Sequence, residues 1–290
     1  MDNNIVFNLI ELILNGLGIK QPPLVFLSLY GLIMARLVPA INYTPFLGGA
    51  AISTPVKIGL AFTLTFLLYP AMASAIPAET VPTSLIPYIF LAIKEGLIGF
   101  TIGYITSLVF YGIQSAGQMV DNARDATIAQ LQNLQLSTQT SLLGNMKLQV
   151  AIVLFFCLDG HLLYIKALFY SFERLPVNAF PQMAGGLVVG GELTPIVSDI
   201  IHMSADVLLV SMQLAAPVLI CLFLTDIVFG IFNRVAPQMN VFFLSLPIKM
   251  LLGCGMLFLV WAAIISQMEQ RFITYLKALY TIISKATFGN

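Results

Sequence analysis

The chain carries its clearest fold signal between Ala216 and Lys249, where it reads APVLICLFLTDIVFGIFNRVAPQMNVFFLSLPIK. Two strongly apolar runs flank Pro237–Asn240, a group of residues typical of a turn and not of a helix interior. A helix that crosses a bilayer needs about 20 predominantly apolar residues. The stretch therefore predicts two apolar helices joined by a short turn, and we place this hairpin at residues 205–265.

The same apolar character extends over the whole chain. Of its 290 residues, 13 are basic and 13 are acidic, so that 9% are charged, whereas soluble domains have about 25%. Apolar residues make up 59%. The charged residues are too few to cover the surface of a soluble protein, and the apolar fraction is too high for a disordered chain. The composition predicts an integral membrane protein, and its zero net charge gives no reason to expect nucleic acid as a partner.

Apolar runs long enough to form membrane helices recur along the chain. They lie at 5–19, 24–41, 57–78, 85–113, 148–172, 205–232 and 241–265, with a weaker glycine-rich run at 183–201. The early runs contain Pro39, Pro45, Pro55 and Pro70. Helix breaks are tolerated at membrane depth only where protein or a water-filled cavity surrounds them. We therefore predict an all-α membrane protein of broken helices and helical hairpins, embedded in a larger assembly.

Six ionisable residues in or beside these apolar runs are candidates for buried polar or assembly sites: Arg36, Lys94, Glu95, Asp226, Arg234 and Lys249. Ionisable residues at membrane depth are functional candidates by default, but they also serve to pair with neighbours. Asp226 and Lys249 lie about eleven residues before and after the hairpin turn, and equal offsets place them at similar depth. We expect these two to pair, or each to meet a different neighbouring subunit.

The region from Gln114 to Gln149 is unusually polar, with seven glutamines and three asparagines but only four charges. A long loop between two apolar helices is uncommon without a function. Ile128, Leu131 and Leu134 keep a three-residue spacing, which favours a short amphipathic helix in part of the region. We expect a polar loop at about 114–147.

No pattern of an enzyme is found in the sequence. His161 and His202 are far apart and have no carboxylate at the spacing of a zinc protease. The group Asp159-Gly160-His161 ends an apolar run, and we interpret it as a turn. We therefore expect no catalytic residues, no cofactor and no metal site. The residues after 265, which include Arg271, Lys277 and Lys285 against Glu269, predict a cytoplasmic tail at 266–290.

Three long stretches of the chain resemble the FliR/SctT/YscT family, the export-apparatus membrane subunit of type III secretion systems. They read AGQMVDNARDATIAQ at 116–130, LFFCLDGHLLYIKALFYSFERLP at 154–176, and the hairpin at 216–249 quoted above. The polar loop is similar to the DNxRGA-type pattern of the injectisome branch, although Asp125 stands where a glycine would be expected. It lacks the stretches typical of flagellar members, so the resemblance favours the injectisome branch.

The resemblance implies a core subunit of an export gate in the bacterial inner membrane, which unfolded secreted proteins cross. Its partners would be a larger gate subunit, a small two-helix gate subunit and further export-apparatus membrane proteins. Residues 1–200 would then resemble the larger partner and residues 205–265 the small one. The polar loop would correspond to the family's plug in the pore.

The plug hypothesis assigns roles to two groups of residues. The apolar side chains would exclude water from the pore. The amides of the loop would bind the pore wall, together with charged side chains whose charges nearly cancel. The candidate residues are Asp121, Asn122, Arg124, Asp125, Ile128, Leu131, Leu134 and Leu136. The alternative for this region is an ordinary exposed connector.

The sequence is also compatible with a different class of function. A secondary transporter of a small solute would use the intramembrane residues Arg36, Lys94, Glu95 and Asp226 for binding or coupling. Such transporters commonly contain internal repeats with interrupted helices in both halves. The polar loop occurs once in this chain and the last hairpin does not mirror the first, which favours the export subunit.

Overall fold

The computed structural model describes residues 16, 22–49, 52–82, 84–125, 141–178, 188–189, 192–193, 195–238 and 240–285. These residues form nine α-helices, a 3₁₀ turn (Ala78–Thr80) and one antiparallel pair of two-residue strands, β1 (Val188–Val189) and β2 (Glu192–Leu193). The helices are α1 (Pro23–Tyr43), α2 (Pro45–Gly48), α3 (Thr54–Ala75), α4 (Leu85–Ala123), α5 (Leu142–Cys157), α6 (Gly160–Arg174), α7 (Pro195–Val235), α8 (Val241–Leu259) and α9 (Trp261–Lys285). The predicted all-α class is confirmed.

Five of these helices, α1, α3, α4, α7 and α8, are long and apolar enough to cross a membrane, and the bent pair α5–α6 would make a sixth. They correspond to the predicted apolar runs that start at residues 24, 57, 85, 205 and 241. The predicted run at 5–19 lies outside the described residues except for Gly16. The weak run at 183–201 contains the strand pair and the first turns of α7, so its described part is not a separate span.

The prolines interrupt fewer helices than expected. Pro39 and Pro70 lie inside α1 and α3, whereas Pro45 and Pro55 occupy the first turns of α2 and α3. A proline in the first helical turn costs little because the N–H it lacks would have no intrahelical acceptor there. Two of the four predicted breaks are therefore helix starts.

The chain divides into two compact units that interleave along the sequence. The first comprises residues 1–107, 164–197 and 279–290, and the second comprises 108–163 and 198–278. The boundaries of the predicted regions at 1–200 and 205–265 do not coincide with those of the units.

Within the first unit, glycines let α1 and α4 approach closely. A side-chain carbon added at Gly99 would lie 2.0 Å from the carbonyl oxygen of Arg36, and one added at Gly103 would lie 2.8 Å from that of Ala40. The same Ala40 carbonyl accepts a 2.9 Å hydrogen bond from the hydroxyl of Tyr164 on α6. Backbone contact between helices is what small residues provide in membrane proteins.

Within the second unit, three aromatic rings form the centre of the core. Phe110, Phe155 and Phe272 come from α4, α5 and α9, and their ring centroids lie 5.1 to 5.3 Å apart. Closer to the ends of α4 and α5, Gly117 contacts Gly144 so tightly that an added side-chain carbon would lie 2.6 Å from the Gly144 backbone.

The predicted turn at Asp159-Gly160-His161 is confirmed. The axes of α5 and α6 differ by 73° across it. Asp159 has a φ of 54°, in the left-handed region. Its carbonyl oxygen accepts a 3.0 Å hydrogen bond from the N–H of Leu162, in the first turn of α6. A side chain at Gly160 would meet the Phe155 ring at 2.5 Å, so the turn needs glycine there.

Two polar regions of the sequence contain more helix in their described part than their composition indicates. In the region expected as a polar loop at about 114–147, α4 continues as far as Ala123, because Ile113, Ala116 and Val120 continue a buried face along it. The far end of this region is helical from Leu142 onward. The predicted tail at 266–290 forms most of α9 as far as Lys285, with one face buried, and its last five residues lie outside the described ranges.

Candidate functional site

Arg36 is the centre of a polar network in the first unit and is completely buried. Its Nε donates to Glu95 Oε2 at 2.5 Å, and its two terminal nitrogens donate to the carbonyl oxygens of Ser171 (2.8 Å) and Leu175 (2.7 Å). The guanidinium carbon also lies 4.1 Å from the centroid of the Phe172 ring. A planar, five-donor cation suits this multiple contact.

Lys94 completes this first network. Its Nζ lies 2.7 Å from Glu95 Oε1 and 3.1 Å from the carbonyl oxygens of both Pro176 and Val177. Two cations thus share one carboxylate, and carbonyls at and just beyond the C-terminus of α6, where a helix carries partial negative charge, supply the remaining acceptors. The network holds α1, α4 and α6 together.

This arrangement does not favour the solute-transporter hypothesis. The charges of Arg36, Lys94 and Glu95 are already met by protein atoms at hydrogen-bond distance, so that a solute would have to displace buried contacts. The fourth residue of that hypothesis, Asp226, belongs to the second unit, where it contacts Lys249.

Asp121, at the end of α4, organises a second network in the second unit. One carboxylate oxygen accepts from Arg124 Nε at 2.9 Å and lies 2.6 Å from its Nη2. The other accepts from Ser141 Oγ at 2.6 Å and from the N–H of Leu143 at 2.9 Å. Ser141 in turn accepts from the N–H of Gly144 at 2.8 Å and so caps α5. A carboxylate at a helix N-terminus satisfies free N–H groups and matches the helix dipole.

The Asp121 contacts bring together the two ends of the polar region. The chain leaves α4 after Ala123 and has returned to within hydrogen-bond distance of Asp121 at Ser141. Residues 126–140, between these ends, lie outside the described ranges. They include four of the predicted plug residues, namely Ile128, Leu131, Leu134 and Leu136.

Lys249 on α8 contacts two carboxylates. Its Nζ lies 2.8 Å from Asp125 Oδ2 and also pairs with Asp226 Oδ1 on α7. The predicted pairing of Asp226 with Lys249 is thus confirmed. The contact with Asp125 was not predicted, because it joins residues 124 positions apart and no periodicity in the sequence relates them.

Not all of the ionisable residues predicted to be buried are so in this chain. Arg36, Lys94, Glu95 and Lys249 are buried, whereas the Asp226 side chain is 49% exposed and Arg234 is exposed. Both exposed residues lie on the part of α7 where the large apolar side chains are also exposed: Phe223, Leu224, Ile227, Val228, Ile231 and Phe232. Of the predicted plug residues, Asp121 and Arg124 are buried, Asp125 is half-buried and Asn122 is exposed.

Sequence reasoning missed two further polar residues of the second unit. Lys147 is 1% exposed, and its Nζ makes no hydrogen bond with the described residues. The spacing that it shares with Leu143, Ala151 and Phe155 on the buried face of α5 could have revealed it. The other is Cys254, whose thiol lies 3.2 Å from Arg124 Nη1. Across the described ranges, no three histidine, cysteine, aspartate or glutamate side chains are grouped to hold a metal ion.

Comparison with known proteins assigns the chain to a family. The family model of the bacterial export proteins, family 1, matches residues 27–274. The Yop proteins translocation protein T of Yersinia pestis is 32% identical over 238 residues, which cover 80% of this chain and 83% of that protein. The flagellar biosynthetic protein FliR of Escherichia coli (strain K12) is 25% identical over 260 residues, covering 90% and 94%.

A further relative is the surface presentation of antigens protein SpaR of Shigella flexneri, 27% identical over 250 residues, which cover 86% of this chain and 91% of that protein. The match to the family model includes both polar networks and the C-terminal hairpin. The chain therefore belongs to the bacterial export proteins, family 1, and its apolar helices make it a multi-pass membrane protein.

Proposed function

We propose that the chain is a core subunit of a type III secretion export gate in the bacterial inner membrane. There it helps to form and to close the pore through which unfolded substrate proteins cross. Its family and the printed names of its relatives, a translocation protein and a flagellar biosynthetic protein among them, support a role in protein export. The likeness to the Yop protein and the DNxR pattern at Asp121–Arg124 support the injectisome branch.

One observation supports the proposal that the chain helps to close the pore. The Asp121 carboxylate joins the last turn of α4 to the first turn of α5, so the two ends of the polar region are held together. The many side-chain amides of this region would remain unsatisfied in hydrocarbon, which argues against a lipid-facing position. A polar loop tied between apolar helices suits a water-filled pore, where it acts as a plug.

The plug closes the pore by two means. Ile128, Leu131, Leu134 and Leu136 exclude water from the narrowest part, since apolar constrictions gate channels by dewetting. The glutamines and asparagines of the loop bind the pore wall without a fixed net charge, so unfolded chains of any sequence pass once the plug moves.

The partners follow from the exposed hairpin. Around Asp226 and Arg234, α7 exposes both charged and large apolar side chains, and charges facing lipid cost about 2.5–3.5 kcal/mol each on insertion scales. Protein neighbours therefore cover this surface better than lipid does. We assign the neighbours as the larger and the small two-helix gate subunits, with further export-apparatus membrane proteins outside them. The C-terminal residues 266–290 face the cytoplasm.

A conductance measurement on the assembled complex tests the closing role. Glycine replaces Ile128, Leu131, Leu134 and Leu136 in one variant, and Thr127, Ser137, Thr138 and Thr140 in a matched control. We expect both complexes to assemble, and the variant without the apolar residues to conduct small ions in the closed state far more than the control. An unchanged closed-state conductance in that variant, with the partners still bound, would leave the loop as a simple connector.

A further inference from the structure

We propose that the exposed side of Asp226 binds a lysine or arginine of a neighbouring gate subunit, within the apolar surface of α7. The proposal rests on the gate function above and adds to it the chemistry by which a partner recognises this chain. It is supported by three observations: an excess of negative charge around Lys249, the depth of Asp226 in α7, and the apolar side chains that surround Asp226.

The ion-pair group around Lys249 carries one more negative charge than positive charge. Asp125 and Asp226 both pair with the ammonium group of this lysine, so two carboxylates share one cation. The Lys249 side chain is 9% exposed and that of Asp125 is 26% exposed, whereas that of Asp226 is 49% exposed. The unbalanced charge therefore lies at the surface of the chain, on Asp226.

The neighbouring basic residues of the second unit do not supply the missing positive charge. Arg124 is bound to Asp121 through two of its nitrogens. Lys147 is buried and makes no hydrogen bond with the described residues. Arg234 is eight residues further along α7, about 12 Å away along the helix axis. Since residues 126–140 contain no lysine or arginine, we expect the balancing cation to come from another chain.

Asp226 lies deep in a helix that is long and apolar enough to cross a membrane. The helix α7 ends at Val235, nine residues later, and a rise of about 1.5 Å per residue places Asp226 about 14 Å from that end. Half of the hydrocarbon core of a bilayer is about 15 Å thick. The short aspartate side chain does not reach the membrane surface from this depth, as a long lysine or arginine near a helix end does. A carboxylate in this position needs a partner within protein.

The surface around Asp226 is otherwise apolar. Phe223, Leu224, Ile227 and Val228 lie within one helical turn of it, and they are between 46% and 65% exposed. Acyl chains would cover these side chains but would supply no cation. A membrane helix with apolar side chains and one lysine or arginine at the same depth covers the surface and also balances the charge.

Dissociation of the assembled gate in mild detergent tests the proposal. Asp226→Asn removes the charge at nearly unchanged size, while Lys249 keeps Asp125 as its partner within the chain. We expect the variant complex to lose the neighbouring subunit about 30-fold faster, as for the loss of one partner of a buried charge pair across an interface. Asp226→Glu keeps the charge and should dissociate more slowly than Asp226→Asn. The control is Asp206→Asn, an exposed carboxylate on the same helix, which should dissociate at the normal rate.

The direction of the effect separates a protein partner from lipid. If lipid covered Asp226, loss of the charge would remove an unfavourable group, and the Asp226→Asn complex would dissociate no faster than the normal one. That result would overturn the proposal, provided that the normal chain still binds its gate subunits. Failure of the normal chain to bind any gate subunit would instead contradict the proposed function.

Photo-cross-linking identifies the partner residue itself. A photo-reactive phenylalanine analogue in place of Phe223, one turn from Asp226, should attach to a segment of a gate subunit that contains a lysine or arginine. Glutamine in place of that basic residue should accelerate dissociation as Asp226→Asn does, and the double variant should be no worse than either single variant. A cross-linked segment without a basic residue, or additive effects of the two substitutions, would overturn the pairing.

Discussion

Arg36 and Glu95 form an ion pair between two apolar helices, with 2.5 Å between Nε and Oε2 and neither side chain exposed. They lie 59 residues apart on α1 and α4. A buried ion pair contributes little net stability compared with apolar residues of the same size, but the loss of one partner leaves a buried charge uncompensated. The pair therefore specifies how α1 and α4 meet, and it makes single substitutions there costly.

The substitution Glu95→Gln should destabilise the first unit. It removes the one carboxylate that the described residues bring to a network of two cations, Arg36 and Lys94. We expect a loss of about 3–5 kcal/mol, as for broken buried ion pairs. Thermal unfolding of the detergent-purified complex measures it. The control is Glu79→Gln, at an exposed position of the 3₁₀ turn, and an equal loss there would contradict the assignment.

The substitution Asp121→Asn should loosen the first turn of α5. The variant loses the charge that compensates Arg124 and weakens the cap on Leu143, at an expected cost of about 3–5 kcal/mol. Hydrogen exchange of the backbone amides at residues 142–146 should become faster. The control is Asp159→Asn. Asp159 is exposed and has a left-handed backbone conformation, which asparagine also tolerates, so the free energy of unfolding should change by no more than about 0.5 kcal/mol. Unchanged exchange in the Asp121 variant would show that Ser141 caps α5 alone.

The substitution Gly117→Ala should force α4 and α5 apart. The added carbon would lie 2.6 Å from the backbone of Gly144, and backbone does not give way as a flexible side chain does. Overpacking of this kind costs about 1–3 kcal/mol. Thermal unfolding of the complex is again the measurement. Gly59→Ala, on α3, has open space around the new carbon and should be neutral or slightly stabilising, since alanine favours a helix more than glycine does. Equal stability of the two variants would contradict the close contact.

The chain purified alone should be poorly stable in mild detergent and should be stabilised by co-expressed gate subunits. The reason is the exposed surface of α7 and α8, which includes Arg234 and half of the Asp226 side chain among exposed apolar residues. The buried Arg36 network does not contribute to this instability, because its charges are compensated within the chain. Size-exclusion chromatography and thermal scans compare the two preparations. A monodisperse, heat-stable monomer would argue against protein partners on this surface.

The class of protein and most of its helices could be predicted from the order of its amino acids alone. Apolar runs near 20 residues have one stable form in a membrane, because backbone groups must be satisfied within the segment, and this predicted α1, α3, α4, α7 and α8. Equal offsets from one turn also predicted that Asp226 meets Lys249, since helical rise converts sequence distance into depth. The turn at Asp159 followed from the residue types alone.

The partners of the charges and the ends of the helices on either side of the polar region depend on the packing of distant segments. Glu95 meets Arg36, and Lys249 meets Asp125, across separations at which no local period relates one residue to another. Composition made the region from Gln114 look like a loop, yet burial of one face continued α4 as far as Ala123. Local pattern determines what a segment can form, whereas the packing of distant segments determines which charge is compensated by which, and where a helix stops.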